Sequence, residues 1–233
     1  PPSLASDNAM RNGVVITIAA GNSGSSYQTI GSPGTSREAI TVGAACKPED
    51  IGKNSSCATN IASFSSRGPV KWVDSFGNQQ EMIKPDIVAP GVNICAAEWG
   101  TWLSDRRCKD DKHIAIAGTS MATPHVAGMA ALLRQAVPQA TPADIKAAIK
   151  AKAVPYAGFD ENTQGKGLIN TIETLKYLSP NLDFSSNLYS TPFSWPVITN
   201  ISSSVYTTTQ TFTITNKTAT ETIAAISVQN APA

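Results

Sequence analysis

The sequence predicts an α/β domain followed by a shorter, β-rich segment. Two patterns predict the α/β part: strand-like runs that are apolar almost throughout, such as residues 14–20, and a helical pattern over residues 121–135. A parallel strand buried on both faces needs such a run, and repeated strand–loop–helix order is typical of layered α/β domains. Alternating Thr, Ser and Val after residue 178 predict β-hairpins of an incomplete sandwich. We therefore expect domains over residues 1–178 and 179–233.

The predicted elements follow one another in the order that a layered domain requires. A helix over residues 4–12 is expected to end at Gly13. Four short stretches then read as strands, at residues 14–20, 39–44, 87–90 and 114–117. The helical pattern over residues 121–135 has small or apolar residues on every face, which predicts a helix buried all round. The last predicted helix begins at Thr141 as N-cap, with Pro142 as its first helical residue.

Composition excludes several classes of function. The chain has 18 Lys+Arg and 17 Asp+Glu, a net charge of +1 without clusters, which argues against a nucleic-acid or anionic-membrane partner. No apolar run approaches the roughly 18 residues of a membrane span. Charged residues make up 15%, below the usual value of roughly 25%, and the polar surface that this implies suits a secreted protein. Glycosylation-type triplets at Asn54, Asn200 and Asn216 point the same way, although they are common by chance.

The four cysteines favour disulfides over a metal site. Cys46, Cys57, Cys95 and Cys108 form no Cys-x-x-Cys pair, so a zinc cluster is not expected. We favour the local pairs Cys46–Cys57 and Cys95–Cys108, because each closes a short polar loop and contributes roughly 3 kcal/mol or somewhat less. Four reduced, buried thiols are the alternative.

Two residues stand where nucleophilic chemistry could be supported. Ser120 opens the long helical pattern, and the first turn of a helix offers unpaired N–H groups and a positive dipole end to an oxyanion. The alternative for Ser120 is a plain helix cap. Asn22 follows a buried strand at the end where α/β sheets bind ligands, so its amide is a candidate donor. An ordinary turn asparagine is the alternative. The serine is not in a Gly-x-Ser-x-Gly elbow, because Ala122 replaces the second glycine.

Six stretches are similar, in the same order, to motifs of the subtilisin-like serine proteases, the subtilases. They are Ala-Ala-Gly-Asn-Ser-Gly at 19–24, Gly-Ser-Pro-Gly at 31–34, Phe-Ser-Ser-Arg-Gly-Pro at 64–69, Lys-Pro-Asp-Ile-Val-Ala-Pro-Gly at 84–91, residues 118–128, and Gly-Lys-Gly-Leu-Ile-Asn at 165–170. The resemblance implies a doubly wound parallel sheet, whose first strands are missing from this chain. It also implies part of a secreted endopeptidase that hydrolyses peptide bonds through an acyl-enzyme.

The resemblance also implies a role for individual residues. Ser120 corresponds to the nucleophile, and Asn22 to the oxyanion-hole side chain that acts with the backbone N–H of Ser120. Three residues correspond to one wall of the first specificity pocket: Ala19, Ala20 and Gly21. Gly31 corresponds to the pocket floor, where a glycine leaves room for a large apolar or aromatic side chain.

The other two triad members have no counterpart in this sequence. A subtilase triad runs Asp, His, Ser along the chain, and the first two lie upstream of the motif at residues 19–24. His125 follows Ser120 by five residues, which is about 140° around and roughly 7.5 Å along a helix, so it cannot be the base and is expected to be a packing residue. His113 is expected at the surface. The sequence begins Pro-Pro, and we expect it to be a segment of a longer polypeptide. We expect this segment to be inactive alone and to bind the N-terminal half of the protease. A propeptide is a candidate partner.

Three points stay open at the level of sequence. The insertions at residues 70–83 and about 99–112 either shape substrate access or are peripheral. Catalysis needs no cofactor and no metal, but Asp86 and the carbonyl groups after Gly34 resemble a region that binds a cation in some relatives, so a structural calcium ion is conceivable. The alternative function is a non-catalytic subtilase-like scaffold for binding or adhesion, and an upstream Asp and His would distinguish the two.

Overall fold

The computed structural model describes residues 2–100 and 104–179 and two later strands. The helices are α1 (Pro2–Arg11), α2 (Thr119–Ala136), α3 (Pro142–Lys152), α4 (Glu161–Gln164) and α5 (Thr171–Leu178), with 3₁₀ turns at Pro48–Asp50 and Ser104–Arg106. The strands are β1 (Thr17–Ala19), β2 (Ile40–Ala45), β3 (Val70–Val73), β4 (Gln79–Met82), β5 (Ile87–Pro90), β6 (Ile94–Ala97), β7 (His113–Ile116), β8 (Leu182–Ser186) and β9 (Phe212–Asn216).

A parallel sheet in the order β1–β2–β5 forms the centre of the domain. Every residue of β2 is buried, as a strand covered on both faces requires. The strand expected over residues 14–20 is shorter than predicted, because only Thr17–Ala19 lie in register with β2. One further backbone hydrogen bond extends the pairing at each end, from Ile40 to Ile16 and from Ala20 to Val42.

Helices cover both faces of this sheet, which confirms the predicted α/β fold class. On one face α2 and α3 bury an apolar core against the strands, with Val42, Ile87, Val126, Leu133 and Ile149 among its fully buried members. On the other face Met10 of α1 packs against Ile18 of β1. Because successive side chains of a strand point to opposite faces, each strand needs apolar residues at consecutive positions.

The long helix α2 is buried on one side only within the described structure. Its buried residues recur at helical spacing: Thr119, Ala122, Val126, Met129, Ala130 and Leu133. On the opposite side Leu132 is half exposed, and Ala127, Gly128 and Ala131 are exposed. The expectation of burial all round is therefore wrong for the described residues. Small residues fit a solvent-facing or a buried helix face equally well, so apolar character did not reveal which sides are covered.

Within residues 2–100 and 104–179, two antiparallel strand pairs lie outside the parallel sheet. The insertion at residues 70–83 forms the hairpin β3–β4. The strand expected over residues 114–117 forms as His113–Ile116, but it pairs antiparallel with β6 rather than extending the central sheet. The sequence pattern predicted this strand but not its partner. The Cys95–Cys108 link joins β6 to the segment that precedes β7.

Both favoured cysteine pairs lie at disulfide distance. The Cα atoms of Cys46 and Cys57 are 5.8 Å apart, and those of Cys95 and Cys108 are 6.0 Å apart. The alternative of four reduced thiols is therefore not supported. Cys46–Cys57 is buried beside the carboxyl end of β2, whereas both residues of the second pair are exposed.

Helix α3 begins as its sequence predicts. Thr141 is the N-cap, and its hydroxyl accepts a hydrogen bond from the Asp144 amide while the Asp144 carboxylate accepts one from the Thr141 amide. This reciprocal capping box satisfies two amide groups that a helix start would otherwise leave unpaired.

The later strands β8 and β9 pair in antiparallel orientation. This agrees with the β-rich character expected after residue 178. The remaining strands expected there, the division into domains at residues 178 and 179, and the Asn200 triplet lie outside the described residues or are not tested by them.

A buried ionic cluster lies at the amino ends of β2 and β5. The Asp86 carboxylate lies 2.6 Å from Lys84 Nζ, 3.3 Å from Lys146 Nζ and 3.2 Å from Lys150 Nζ, and it accepts the Thr41 amide N–H at 2.8 Å. Burial by itself would raise the pKa of Asp86, but the three ammonium groups outweigh this effect and hold that pKa below its ordinary value. Burial lowers the pKa of Lys84 to about 8, although Asp86 acts in the opposite direction.

Replacing Asp86 by Asn should destabilise the whole protein by about 3–5 kcal/mol, because it leaves three ammonium groups without their carboxylate. Urea denaturation at pH 7 measures this loss. The matched control is Glu173→Gln, which removes the exposed ion pair with Lys176 and should cost less than about 1 kcal/mol.

The pH dependence of the stability of the wild type and of Asp86→Asn provides a second check on the role of Asp86. Since the pKa of Asp86 is lowered by folding, its contribution is complete above the unfolded value of about 3.9 and is lost as the pH falls through the lower folded value. The stability difference between wild type and Asp86→Asn should therefore shrink below about pH 4. A difference that stays constant down to pH 2 would contradict the assignment.

Candidate active site

Asn22 and Ser120 lie at the carboxyl-end edge of the parallel sheet. Asn22 follows β1 by three residues, and Ser120 is the second residue of α2. The start of α2 is fastened to the end of β5, because the Gly118 amide donates a 2.8 Å hydrogen bond to the Gly91 carbonyl. The carboxyl ends of parallel strands are where such sheets place their ligands. The fold therefore brings both predicted residues to the appropriate edge.

Thr119 joins the two segments directly. Asn22 Oδ1 accepts hydrogen bonds from both the amide and the hydroxyl of Thr119, each at 2.9 Å. The same hydroxyl accepts the Gly21 amide N–H at 3.1 Å. Because the amide oxygen of Asn22 is used in this way, the orientation of its side chain is determined and Nδ2 remains on the other side as a donor.

An empty space beside Gly118 brings the two expected oxyanion donors together. A Cβ atom at Gly118 would lie 3.3 Å from Asn22 Nδ2 and within 3.7 Å of the Ser120 backbone nitrogen. Over residues 2–100 and 104–179, neither the amide nor the hydroxyl of Ser120 has a hydrogen-bond partner, and the residue is exposed. One small space is thus bordered by two donors, one of them in the positive first turn of an 18-residue helix.

The simplest alternative for Ser120, a helix cap, does not describe this site. The N-cap of α2 is Gly118, which has no side chain to bind the helix amides. Ser120 lies two residues inside the helix, so its hydroxyl is free to face outward while its amide faces the space beside Gly118.

Residues expected to form a specificity pocket also meet at this edge. A Cβ atom at Gly34 would lie 3.0 Å from the Gly31 carbonyl oxygen and 3.1 Å from that of Ala19, so the loop after residue 30 lies against the end of β1. The side chain of Ala20 is buried, whereas Ala19 and Gly21 are partly exposed. A Cβ atom at Gly31 would meet no described atom within 4 Å, which leaves open space at the expected pocket floor.

Neither histidine lies beside Ser120. His125 is exposed within the described structure, and its Nδ1 lies 2.9 Å from the Met121 carbonyl oxygen within α2, so the expected packing role is not found among the described residues. It falls on the side of α2 that the described residues leave uncovered. His113 lies at the surface as expected, where its hydrogen bond to Asp110 at 2.6 Å lowers the pKa of that carboxyl group.

Lysine ammonium groups surround Asp86, in the region where the family resemblance made a structural calcium ion conceivable. Lys146 Nζ donates to three consecutive backbone carbonyls, those of residues 37, 38 and 39, at 2.9–3.1 Å. Within the described residues no cluster of three or more His, Cys, Asp or Glu side chains is arranged to hold a metal ion. None of the helices in this part of the chain has the length and apolar character of a membrane span.

Comparison with known proteins identifies the family. The sequence model described as the Subtilase family matches residues 2–174. This chain belongs to the subtilase family of serine proteases. The chain is 41% identical over 168 residues to the serine protease AprX of Bacillus subtilis, which covers 70% of this chain and 36% of AprX. It is 36% identical over 207 residues to pyrolysin of Pyrococcus furiosus, covering 76% of this chain and 14% of pyrolysin.

Solved structures agree with the subtilase assignment. Fervidolysin from Fervidobacterium pennivorans, a keratinolytic enzyme related to subtilisin, is 28% identical with a TM-score of 0.54, covering 75% of this chain and 24% of fervidolysin. The self-cleaved protease domain of PatA, at 22% identity and a TM-score of 0.54, shares the fold; the match covers 76% of this chain and 55% of that one. This subtilase chain therefore spans about a third of AprX and smaller parts of pyrolysin and fervidolysin.

Thr119 was not among the site residues predicted from the sequence. The residue stands directly before Ser120, and its burial is complete. Its contact with Asn22 spans 97 residues, so no local pattern could reveal it. Its position between the cap glycine Gly118 and the candidate nucleophile Ser120 was the one feature of the sequence that could have indicated a functional role.

Substituting Gly118 by Ala should lower kcat of the whole protease by roughly 10² or more. The new methyl group would lie 3.3 Å from Asn22 Nδ2, beside the Ser120 amide, and the Gly118 backbone, with φ +159°, has a conformation that L side chains rarely adopt. The matched control is Gly128→Ala in the same helix, where an added Cβ meets nothing within 4 Å. The control should keep its activity and gain up to about 1 kcal/mol in stability. Steady-state kinetics on both folded variants measures the difference, and equal activity of the two would argue against the assignment of this space.

Proposed function

We propose that this chain carries the nucleophile and the oxyanion hole of a secreted serine endopeptidase. The observation that supports the proposal is the convergence of Asn22 Nδ2 and the Ser120 backbone nitrogen on the space beside Gly118. Ser120 itself is exposed at the start of α2, where a substrate carbonyl can reach it. Membership of the subtilase family makes polypeptides the substrate class.

The reaction proceeds through an acyl-enzyme. Ser120 Oγ loses its proton to a base and attacks the carbonyl carbon of the scissile peptide bond. The oxyanion that forms takes hydrogen bonds from Asn22 Nδ2 and the Ser120 amide. The tetrahedral intermediate then collapses, and the base returns its proton to the leaving amine. In the second half of the reaction the base takes a proton from a water molecule, which attacks the Ser120 ester; the carboxylic acid product leaves and the proton returns to Ser120 Oγ.

The base and its orienting acid come from an upstream segment of the same protease. The triad order places Asp and His before the serine, and the family's motifs for these two residues lie upstream of the segment that carries Asn22. The two histidines of this chain do not lie beside Ser120. We therefore propose the N-terminal half of the protease as the obligatory partner of this chain, with a propeptide as a further partner. No cofactor takes part in the chemistry.

Asn22 contributes as a preorganised donor. Its amide is already oriented by Thr119, so binding the oxyanion requires little reorganisation. Loss of such a donor costs roughly 10²–10³ in kcat, a value that comes from a subtilisin rather than from this chain.

The open space at Gly31 supports a preference for large side chains at P1, the substrate residue before the cleaved bond. Ala19, Ala20 and Gly21 form the adjacent wall in this proposal. The exposed second disulfide and the polar composition are consistent with an extracellular setting.

The alternative proposal is a subtilase-like scaffold that binds without cleaving. A non-catalytic scaffold does not need the Ser120 amide and the Asn22 side-chain amide beside the same space. The geometry therefore favours the enzyme. An upstream segment without Asp and His in the family motifs would favour the scaffold.

Gly31→Val should convert the preference for a large P1 residue into one for a small P1 residue. The added side chain enters open space, so folding is retained while the pocket floor rises. We expect kcat/KM for a Phe-P1 peptide to fall about 10–200-fold, with little change for an Ala-P1 peptide. Parallel loss for both peptides would show that Gly31 does not form the floor.

Covalent labelling by a fluorophosphonate tests the nucleophile itself. Ser120 should be labelled when this chain is folded together with its upstream segment, and labelling should be lost in Ser120→Ala. The chain alone should remain unlabelled, because the base is supplied in trans. A folded complex that fails to label would contradict the enzyme proposal and support the scaffold.

A further inference from the structure

Ser66 lies directly behind the loop that carries Asn22. The residue is completely buried, and it contacts the backbone on both sides of the asparagine. Its amide N–H donates a 2.9 Å hydrogen bond to the Gly21 carbonyl, and its hydroxyl oxygen accepts the Ser23 amide N–H at 3.0 Å. One buried residue therefore holds the residues immediately before and after Asn22.

The loop has one further backbone hydrogen bond to the same segment. The Gly24 amide donates to the Phe64 carbonyl at 2.8 Å. The approach is close, since an added Cβ at Gly21 would lie 2.9 Å from Ser66 Oγ and one at Gly24 would overlap the Ser65 carbonyl group. Among these three hydrogen bonds, the Ser66 hydroxyl is the single side-chain contribution.

The neighbouring serine faces a different partner. Ser65 is equally buried, but its hydroxyl accepts the amide N–H of Ala44 in β2, also at 3.0 Å. Ser65 thus anchors the segment to the central sheet, whereas Ser66 anchors the Asn22 loop to the segment. The two residues match in type, burial and bond length, and differ in what they hold.

We propose that Ser66 is a positioning residue of the oxyanion hole. It holds the backbone of the Asn22 loop, while Thr119 holds the Asn22 side chain, so that Nδ2 stays beside the Ser120 amide. The inference rests on the proposed function, because it assigns Ser66 a part in the placement of the same donor. Displacements of about 1 Å in a positioned catalytic group can cost up to about 10² in rate.

Substitution of Ser66 by Ala is the direct test. The Ser23 amide loses its acceptor, and the loop gains freedom at the residue after Asn22. We expect kcat of the whole protease on a Phe-P1 fluorogenic peptide to fall about tenfold with KM unchanged, since the affected donor acts mainly in the transition state. The effect should be smaller than the roughly 10²–10³ expected for Asn22→Ala.

Ser65→Ala is the matched control. It removes an equally buried hydroxyl with the same kind of backbone partner, so the thermal midpoint should fall about as much as in Ser66→Ala. Its kcat should stay within twofold of wild type. Equal reductions in kcat for the two variants would overturn the proposal and assign the loss to general destabilisation.

A double-mutant cycle with Asn22→Ala separates the positioning role from other effects. If Ser66 acts through Asn22, Ser66→Ala should change kcat little in the Asn22→Ala background. The same tenfold loss in both backgrounds would overturn the inference.

The single variants separate the positioning role of Ser66 from the proposed function of the chain. A reduced kcat in Asn22→Ala with normal kcat in Ser66→Ala would remove the positioning role and leave the proposed function intact. An unchanged kcat in Asn22→Ala would overturn the proposed role of Asn22, and the positioning role with it.

Discussion

The hydrogen bonds between Asn22 and Thr119 hold the candidate site together. They connect the loop after β1 to the first residue of α2 across 97 residues of sequence. Without them the asparagine amide could rotate, and of the loop's three hydrogen bonds to Thr119 the one from the Gly21 amide would remain. The remaining site features, including the empty space beside Gly118 and the buried Ser66, are meaningful because this connection places both segments at one edge of the sheet.

The sheet makes that connection possible. Strand β2 is buried throughout and pairs with β1 on one side and β5 on the other, so the loops after β1 and β5 emerge close together. Gly91, after β5, receives the amide of Gly118 and thereby sets where α2 begins. At the opposite edge, Asp86 and its ammonium groups join the amino ends of the same strands to α3. The candidate active site and the ionic cluster thus lie at opposite ends of the strands of one sheet.

Sequence patterns predicted the secondary-structure elements well where interactions between residues close in sequence determine those elements. The strand over residues 87–90 forms with the expected bounds, the strand over 39–44 is displaced by one residue, and Thr141 caps α3 as expected. Both cysteine pairs join residues 11 and 13 positions apart, so chain proximity favoured them. The strand expected at 114–117 forms one residue earlier, but its antiparallel partner β6 was not predicted. Burial of α2 on every side and the packing role of His125 are not found among the described residues, because both depend on which helix face is covered.

The sequence by itself determined the α/β class, the family and the identities of the candidate residues. Strand periodicity, helix caps and motifs depend only on residues that are close together in the chain. Tertiary structure alone decided that Thr119 orients Asn22, that Ser66 supports the same loop, and that Gly118 leaves the shared space empty. These contacts join segments 43 to 97 residues apart, and their distances follow from how the strands pair and the helix packs. Hydrogen bonding is a short-range interaction that depends on direction, so its partners are settled only when the chain has folded.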